Sequence, residues 1–156
     1  MKIKAIETIQ LAEFANLVWV QVVTDEGLIG LGETFFGAEA VAAYIHESAA
    51  PYLLGKDPLR IDEHSHALRS TYVGFSSSGA EMRGLSAIDI ALWDLFGQAT
   101  GQPIHQLLGG LSHDRSAPTT PAPATAMSEA GWIRSPANGS RRARWPRGPM
   151  RISRPS

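Results

Sequence analysis

Few side chains in this 156-residue chain have types and spacings that could do chemistry. Cysteine is absent, which removes thiolate metal sites, cysteine nucleophiles and disulfides. Of the five histidines, His64 and His66 lie two apart in a stretch of helical pattern. Two helical steps turn side chains about 200° apart, so one ion could not take both. Asp62 and His66, four apart, read as an ordinary helix-surface pair. Gly27-x-x-Gly30-x-Gly32 has the wrong order for a dinucleotide loop and no helix start directly behind it. These glycines read as relief of crowding in a hairpin. Gly74-Phe75-Ser76-Ser77-Ser78 falls short of a nucleophile elbow, since its second Gly comes one position late and no strand precedes it. Lys2-x-Lys4 could house a proton-abstracting base inside a barrel strand, but at an exposed N-terminus both ammoniums stay hydrated and charged. Glu33, closing an apolar run, is the acid most expected to face a cavity, beside the default reading of a surface carboxylate.

The elements that would position these residues follow from periodicity. Lys2 to Leu11 is β-compatible without clean alternation, Leu17 to Val23 is rich in β-branched and aromatic residues, and Leu28 to Glu33 returns after the turn at Asp25-Glu26-Gly27. Short connections favour an antiparallel meander. The period then becomes helical. Val41, Tyr44, Ile45 and Ala49 mark a helix from Ala38 to about Leu54. Asp57 as N-cap with Pro58 at the first helical position predicts a second, to about Ser70. Tyr72 to Gly79 reads as a loop. The longest helix runs from Ala80 to about Thr100 on a stripe of Leu85, Ile88, Leu92, Leu95 and Ala99, and Gly101 with Pro103 ends it. Three strands followed by three helices predict an α+β fold, a β-meander followed by a three-helix bundle.

Charge divides the chain. Residues 1–114 carry six Lys and Arg against fourteen Asp and Glu, a formal −8; residues 115–156 carry eight Arg against one Glu, a formal +7. Seven of the ten prolines lie in the second part, which lacks apolar periodicity and reads as a disordered Arg/Pro-rich tail. No apolar run approaches the roughly 18–20 residues of a membrane span, and no secretion signal is evident. A cytoplasmic location is expected.

The most specific string runs from Ser86 to Gly110, SAIDIALWDLFGQATGQPIHQLLGG. Its Ser86, Ala87, Asp89, Ala91, Asp94, Gly97, Pro103 and Gly109 resemble the signature of the N-terminal capping domain in the mandelate racemase/muconate lactonizing enzyme family of the enolase superfamily. Gly84 departs from the pattern, which usually has Ala there. The hairpin ending in Gly32-Glu33 and the string Leu54-Gly55-Lys56-Asp57-Pro58 are also similar to that family, so the resemblance covers about residues 1–115. The small residues suit close helix packing, and Asp89 and Asp94 are expected to make hydrogen bonds rather than do chemistry.

The resemblance implies that a complete member adds a (β/α)-barrel. That barrel would hold three acidic Mg²⁺ ligands and the bases that remove a proton α to a carboxylate, as in acid-sugar dehydratases, racemases and cycloisomerases. The capping domain would shape the substrate pocket with Phe14, Glu33, Phe35, Phe36 and Tyr72. A barrel takes about 200–250 residues, and 42 follow Asp114. The chain is therefore expected to lack catalytic residues and any metal or cofactor of its own, and to be inactive alone. Its missing partner would be the barrel, within full-length proteins that form homo-oligomers. A one-base deletion near the Arg115 codon is the hypothesis for the tail, since a shifted frame with freely chosen wobble bases can give a stretch similar to the first barrel strand. Two other readings stand beside this. The Arg-rich tail, with Trp132 and Trp145, could bind nucleic acid or anionic surfaces without sequence preference, or the uncovered barrel-facing side could recruit another chain. Neither specific nucleic-acid binding nor membrane association is expected.

Overall fold

Alternation in Leu17 to Thr24 organises the sheet. In a computed structural model, which describes residues 1–71, 78–111, 113 and 150–153, strands β1 (Ile3–Ile9), β2 (Leu17–Thr24) and β3 (Ile29–Phe35) form an antiparallel meander. Val18, Val20 and Val22 are fully buried on one face of β2, while Leu17, Trp19, Gln21 and Val23 lie half-buried on the other. A register irregularity between Ile3 and Ala5 breaks the alternation of β1 and accounts for its uneven pattern. Gly27 supplies the turn between β2 and β3 with a φ of 88°.

Helical residues cover one face. Helix α1 (Ala38–Tyr44) passes through a π-helical turn, Ile45–Ala49, into α2 (Ala50–Leu53), so the expected first helix is a single helical path with a widened middle. Helix α3 (Ile61–Ser70) begins four residues later than Asp57. The capping expectation at Asp57-Pro58 is corrected here. The Asp57 carboxylate accepts the Leu59 N–H at 3.0 Å, closing a local turn, and Arg60 has a non-helical ψ of 55°. Helix α4 (Ala80–Thr100) stops at left-handed Gly101, as Gly and Pro at its end require. A short α5 (Ile104–Leu107) follows Pro103. Strand β4 (Met150–Ser153) pairs antiparallel with β1, giving the sheet order β3-β2-β1-β4. Those four residues depart from the expected unstructured tail; the rest of that tail from Arg115, apart from β4, lies outside the described residues. All of these elements belong to one compact unit.

The closest packing in this unit joins α4 to β3. A Cβ added at Gly30 would collide with the Ala91 carbonyl and the Leu95 side chain, and one at Gly32 with the Ala87 carbonyl. Gly30 and Gly32 thus open a groove on β3 into which the Ala87 and Ala91 turns of α4 settle. Leu85, Ile88, Leu92 and Leu95 fill the core beneath, each contributing roughly 1.5–3 kcal/mol by leaving water. Ala99, the last member of the expected stripe, is exposed, because the stripe outruns the sheet. Gly84 leaves room for Tyr44, whose ring a Cβ there would strike.

Side chains of α4 also bond the outer backbone of β3. Asp94 Oδ2 accepts the Leu31 N–H at 2.9 Å, Gln98 Nε2 donates to the Ile29 carbonyl at 2.8 Å, and Arg83 Nη1 donates to the Phe35 carbonyl at 3.0 Å. The spacing matches. Arg83 to Gln98 covers roughly 22 Å of helix, and Phe35 to Ile29 about 20 Å of strand. Among the described residues, no helix is long and apolar enough to cross a membrane.

Candidate functional site

Four of the five residues expected at a pocket gather where β1 leaves the sheet and β3 ends. Phe14 closes a short 3₁₀ turn, Ala12–Phe14, and meets Trp19 edge-on at 6.3 Å between ring centroids. Trp19 stands opposite Glu33 across the β2–β3 pair, and Leu17 opposite Phe35. Phe14, Phe35 and Phe36 are 54%, 60% and 63% exposed, more than an isolated fold has reason to leave in water when they are neighbours. Glu33 is exposed beside them. Tyr72 lies outside the described residues.

The β3 end has an unusual backbone. Phe36 has a φ of 75°, a left-handed conformation that bulky side chains rarely adopt, and Gly37 follows with a φ of 73°. This corner turns the chain from β3 into α1 and is tied to the first loop by the Phe36 N–H, which donates to the Asn16 carbonyl at 2.8 Å. Trp19 and Arg83 were not foreseen. Trp19 lay hidden in a strand pattern that its own alternation could have revealed as outward-facing. Arg83, a single cation in the first turns of α4, carried no local signal.

The signature residues hold the fold. Ser86 Oγ donates back to the Met82 carbonyl at 2.8 Å, and Asp94 accepts from Gln98 at 3.0 Å besides bonding Leu31. Ala87 and Ala91 are fully buried. Gly97 lets the chain double back: its carbonyl accepts the Gln102 N–H at 3.0 Å, and a Cβ would strike the Gln102 carbonyl. Pro103 precedes α5, and Gly109, with a φ of 105°, follows it. Partial burial pushes the Asp89 carboxyl above its ordinary pKa, with Arg69 pulling the other way.

Two histidines are buried for structural reasons. His64 Nε2 donates to the Asp57 carbonyl at 2.8 Å while exposed His66 points elsewhere, so the two share no site. His46, in the π-helical turn, places Nε2 2.8 Å from Thr8 Oγ1, and its Nδ1 is buried without a partner among the described residues. Burial lowers the His46 pKa. Among the described residues no three His, Asp or Glu side chains converge closely enough to hold a metal ion. Glu33, Asp89 and Asp94 face separate surroundings, and the described carboxylates do not fit a Mg²⁺ site.

Residues 3–109 match the family described as Mandelate racemase / muconate lactonizing enzyme, N-terminal domain. The chain belongs to that family. A D-galactonate dehydratase family member from Streptomyces bingchenggensis is 40% identical over 116 residues, covering 72% of this chain and 28% of the relative. The crystal structure of an enolase of the mandelate racemase subgroup from Agrobacterium tumefaciens, with a succinimide residue, Na and phosphate, superposes with a TM-score of 0.69 at 62% identity, over 72% of this chain and 31% of that one. An enolase from Pantoea ananatis with bound D-gluconate and Mg gives 0.65 at 41% identity, over 72% of this chain and 28% of that one. The chain thus spans under a third of the length of these relatives. Its meander and helices are those of the capping domain of the enolase superfamily.

Proposed function

We propose that residues 1–114 are the capping part of an acid-sugar dehydratase, and that the chain has no turnover without a C-terminal catalytic domain. The observation that carries this reading is the solvent-open corner of Phe14, Phe35 and Phe36 on a family capping fold. Dehydration of a sugar acid begins by removing the proton α to its carboxylate, a step that gains from excluding bulk water. The three rings, with Trp19 behind Phe14, would cover the apolar C–H faces of the substrate. Glu33 would accept hydrogen bonds from sugar hydroxyls as they shed water. In the complete protein, Mg²⁺ would supply electrostatic stabilisation of the enediolate from ligands outside this chain. The relatives named for D-galactonate and D-mannonate dehydration support the substrate class.

A fusion tests the reading. Residues 1–110 replace the corresponding domain of the Pantoea ananatis enolase, and D-gluconate binding is measured by calorimetry with Mg²⁺ present. Binding by the fusion is expected, together with loss of binding when Phe35 and Phe36 are both changed to Ala. Dehydration of D-gluconate, D-galactonate or D-mannonate by the 156-residue chain alone would overturn the claim that it is inactive.

A further inference from the structure

We infer that Arg83 is a positioning residue that holds the Phe35–Phe36 corner in its pocket-facing conformation. The inference rests on reading that corner as a pocket wall. Left alone, the corner is costly to maintain. Phe36 is in the left-handed region, and its ring and that of Phe35 stand largely in water. An unrestrained chain would relax φ and fold the rings elsewhere.

Arg83 supplies three restraints from one rigid group. Its Nη1 donates to the Phe35 carbonyl at 3.0 Å, and its guanidinium carbon lies 5.4 Å from the Phe35 ring centroid and 5.2 Å from that of Phe36. Both ring distances fall within the reach of a cation–π contact. The residue is anchored in α4, whose Ala87 and Ala91 turns are locked against Gly32 and Gly30 only a turn or two further on. The guanidinium therefore refers the corner to the most tightly packed seam of this unit. Lysine could donate the hydrogen bond or approach a ring, but its point-like ammonium lacks the planar fork that does both at once. On the other side, the Phe36 N–H to Asn16 bond ties the same corner to the loop that carries Phe14. Arg83 thus orients the aromatic wall through its contacts to Phe35 and Phe36.

Residue-resolved hydrogen exchange of the 156-residue chain tests this, with the chemical shifts of the Phe35 and Phe36 rings as a second readout. In R83A the Phe36 amide is expected to exchange about tenfold faster or more, while the β3 amides of Gly30 and Gly32 stay within about twofold. Both ring signals should move towards free-phenylalanine values. R83K should fall between wild type and R83A, and R83M, which keeps the aliphatic stem, should resemble R83A. An unchanged Phe36 amide in R83A and R83M would overturn the inference. So would acceleration spread evenly over β3, which would make Arg83 a general stabiliser of the unit. Should R83A fail to fold, R83K and R83M decide by the same criteria. Exchange reports whether Arg83 holds the corner, and D-gluconate binding by the fusion reports whether the corner lines a pocket, so the two can fail separately.

Discussion

The two ends of β3 obey opposite rules. Its middle and start, at Gly30 and Gly32, give up side chains so that the Ala87 and Ala91 turns of α4 can press on the strand, and this seam is dry. Its finish, at Phe35 and Phe36, carries large rings into solvent on a left-handed backbone. A fold under selection for stability alone would bury such rings or replace them. The contrast separates residues that make the unit from residues that it presents. The signature from Ser86 to Gly109 belongs to the first class, since its contacts are those of packing and helix ends.

The comparison can be broken most severely at Gly32. Gly32→Ala places a methyl group against the Ala87 carbonyl, and backbone cannot yield as a side-chain tip would. A loss of about 3 kcal/mol or more, or failure to fold, is expected in urea denaturation. Gly27→Ala meets no atom within 4 Å but keeps a φ of 88°, so its cost should be smaller, roughly 1–2 kcal/mol. Equal losses at the two glycines would mean that close approach of α4 is not what Gly32 provides. Asp94→Ala leaves the Leu31 N–H without its acceptor at a site that water can reach, and about 1 kcal/mol should be lost. At the other end of β3 the sign should reverse. Phe36→Gly relieves the left-handed strain and should leave stability unchanged or raised by up to about 1 kcal/mol, while weakening D-gluconate binding by the fusion.

The smallest effect concerns acid. His46 has its pKa lowered by burial, so the unfolded chain takes up a proton at a higher pH than the native one. Stability from this group is complete above the ordinary histidine value of about 6.5 and is lost as pH falls from there towards the depressed native value. The urea midpoint should drop between pH 7.5 and 6, and His46→Gln should flatten that slope. A slope that persists in His46→Gln would assign it to other groups.

The three strands, the long helix and its stop were legible because alternation, helical spacing and Gly-Pro punctuation are local. The start of α3 was not, since Asp57 can cap a helix or close a turn with equal local logic, and here it closes the turn, with Arg60 still non-helical. Nor was the π-helical turn that buries His46, or β4, whose pairing with β1 joins residues more than a hundred positions apart. At the candidate site Phe14, Phe35 and Phe36 could be named through resemblance and Glu33 also from its place at the end of a strand, and all four lie at the β3 end of the sheet. Arg83 could not, because its role exists only once α4 lies beside β3.

Asp94, Gln98 and Arg83 occupy outward amide and carbonyl groups along one flank of the sheet, from Ile29 to Phe35. A ladder that lengthens without limit must offer vacant donors and acceptors on both flanks. Here the Leu31 N–H and the Ile29 and Phe35 carbonyls on one flank are already taken. A second copy pairing along this edge would first have to displace these α4 side chains, which sets a brake on sheet growth through β3.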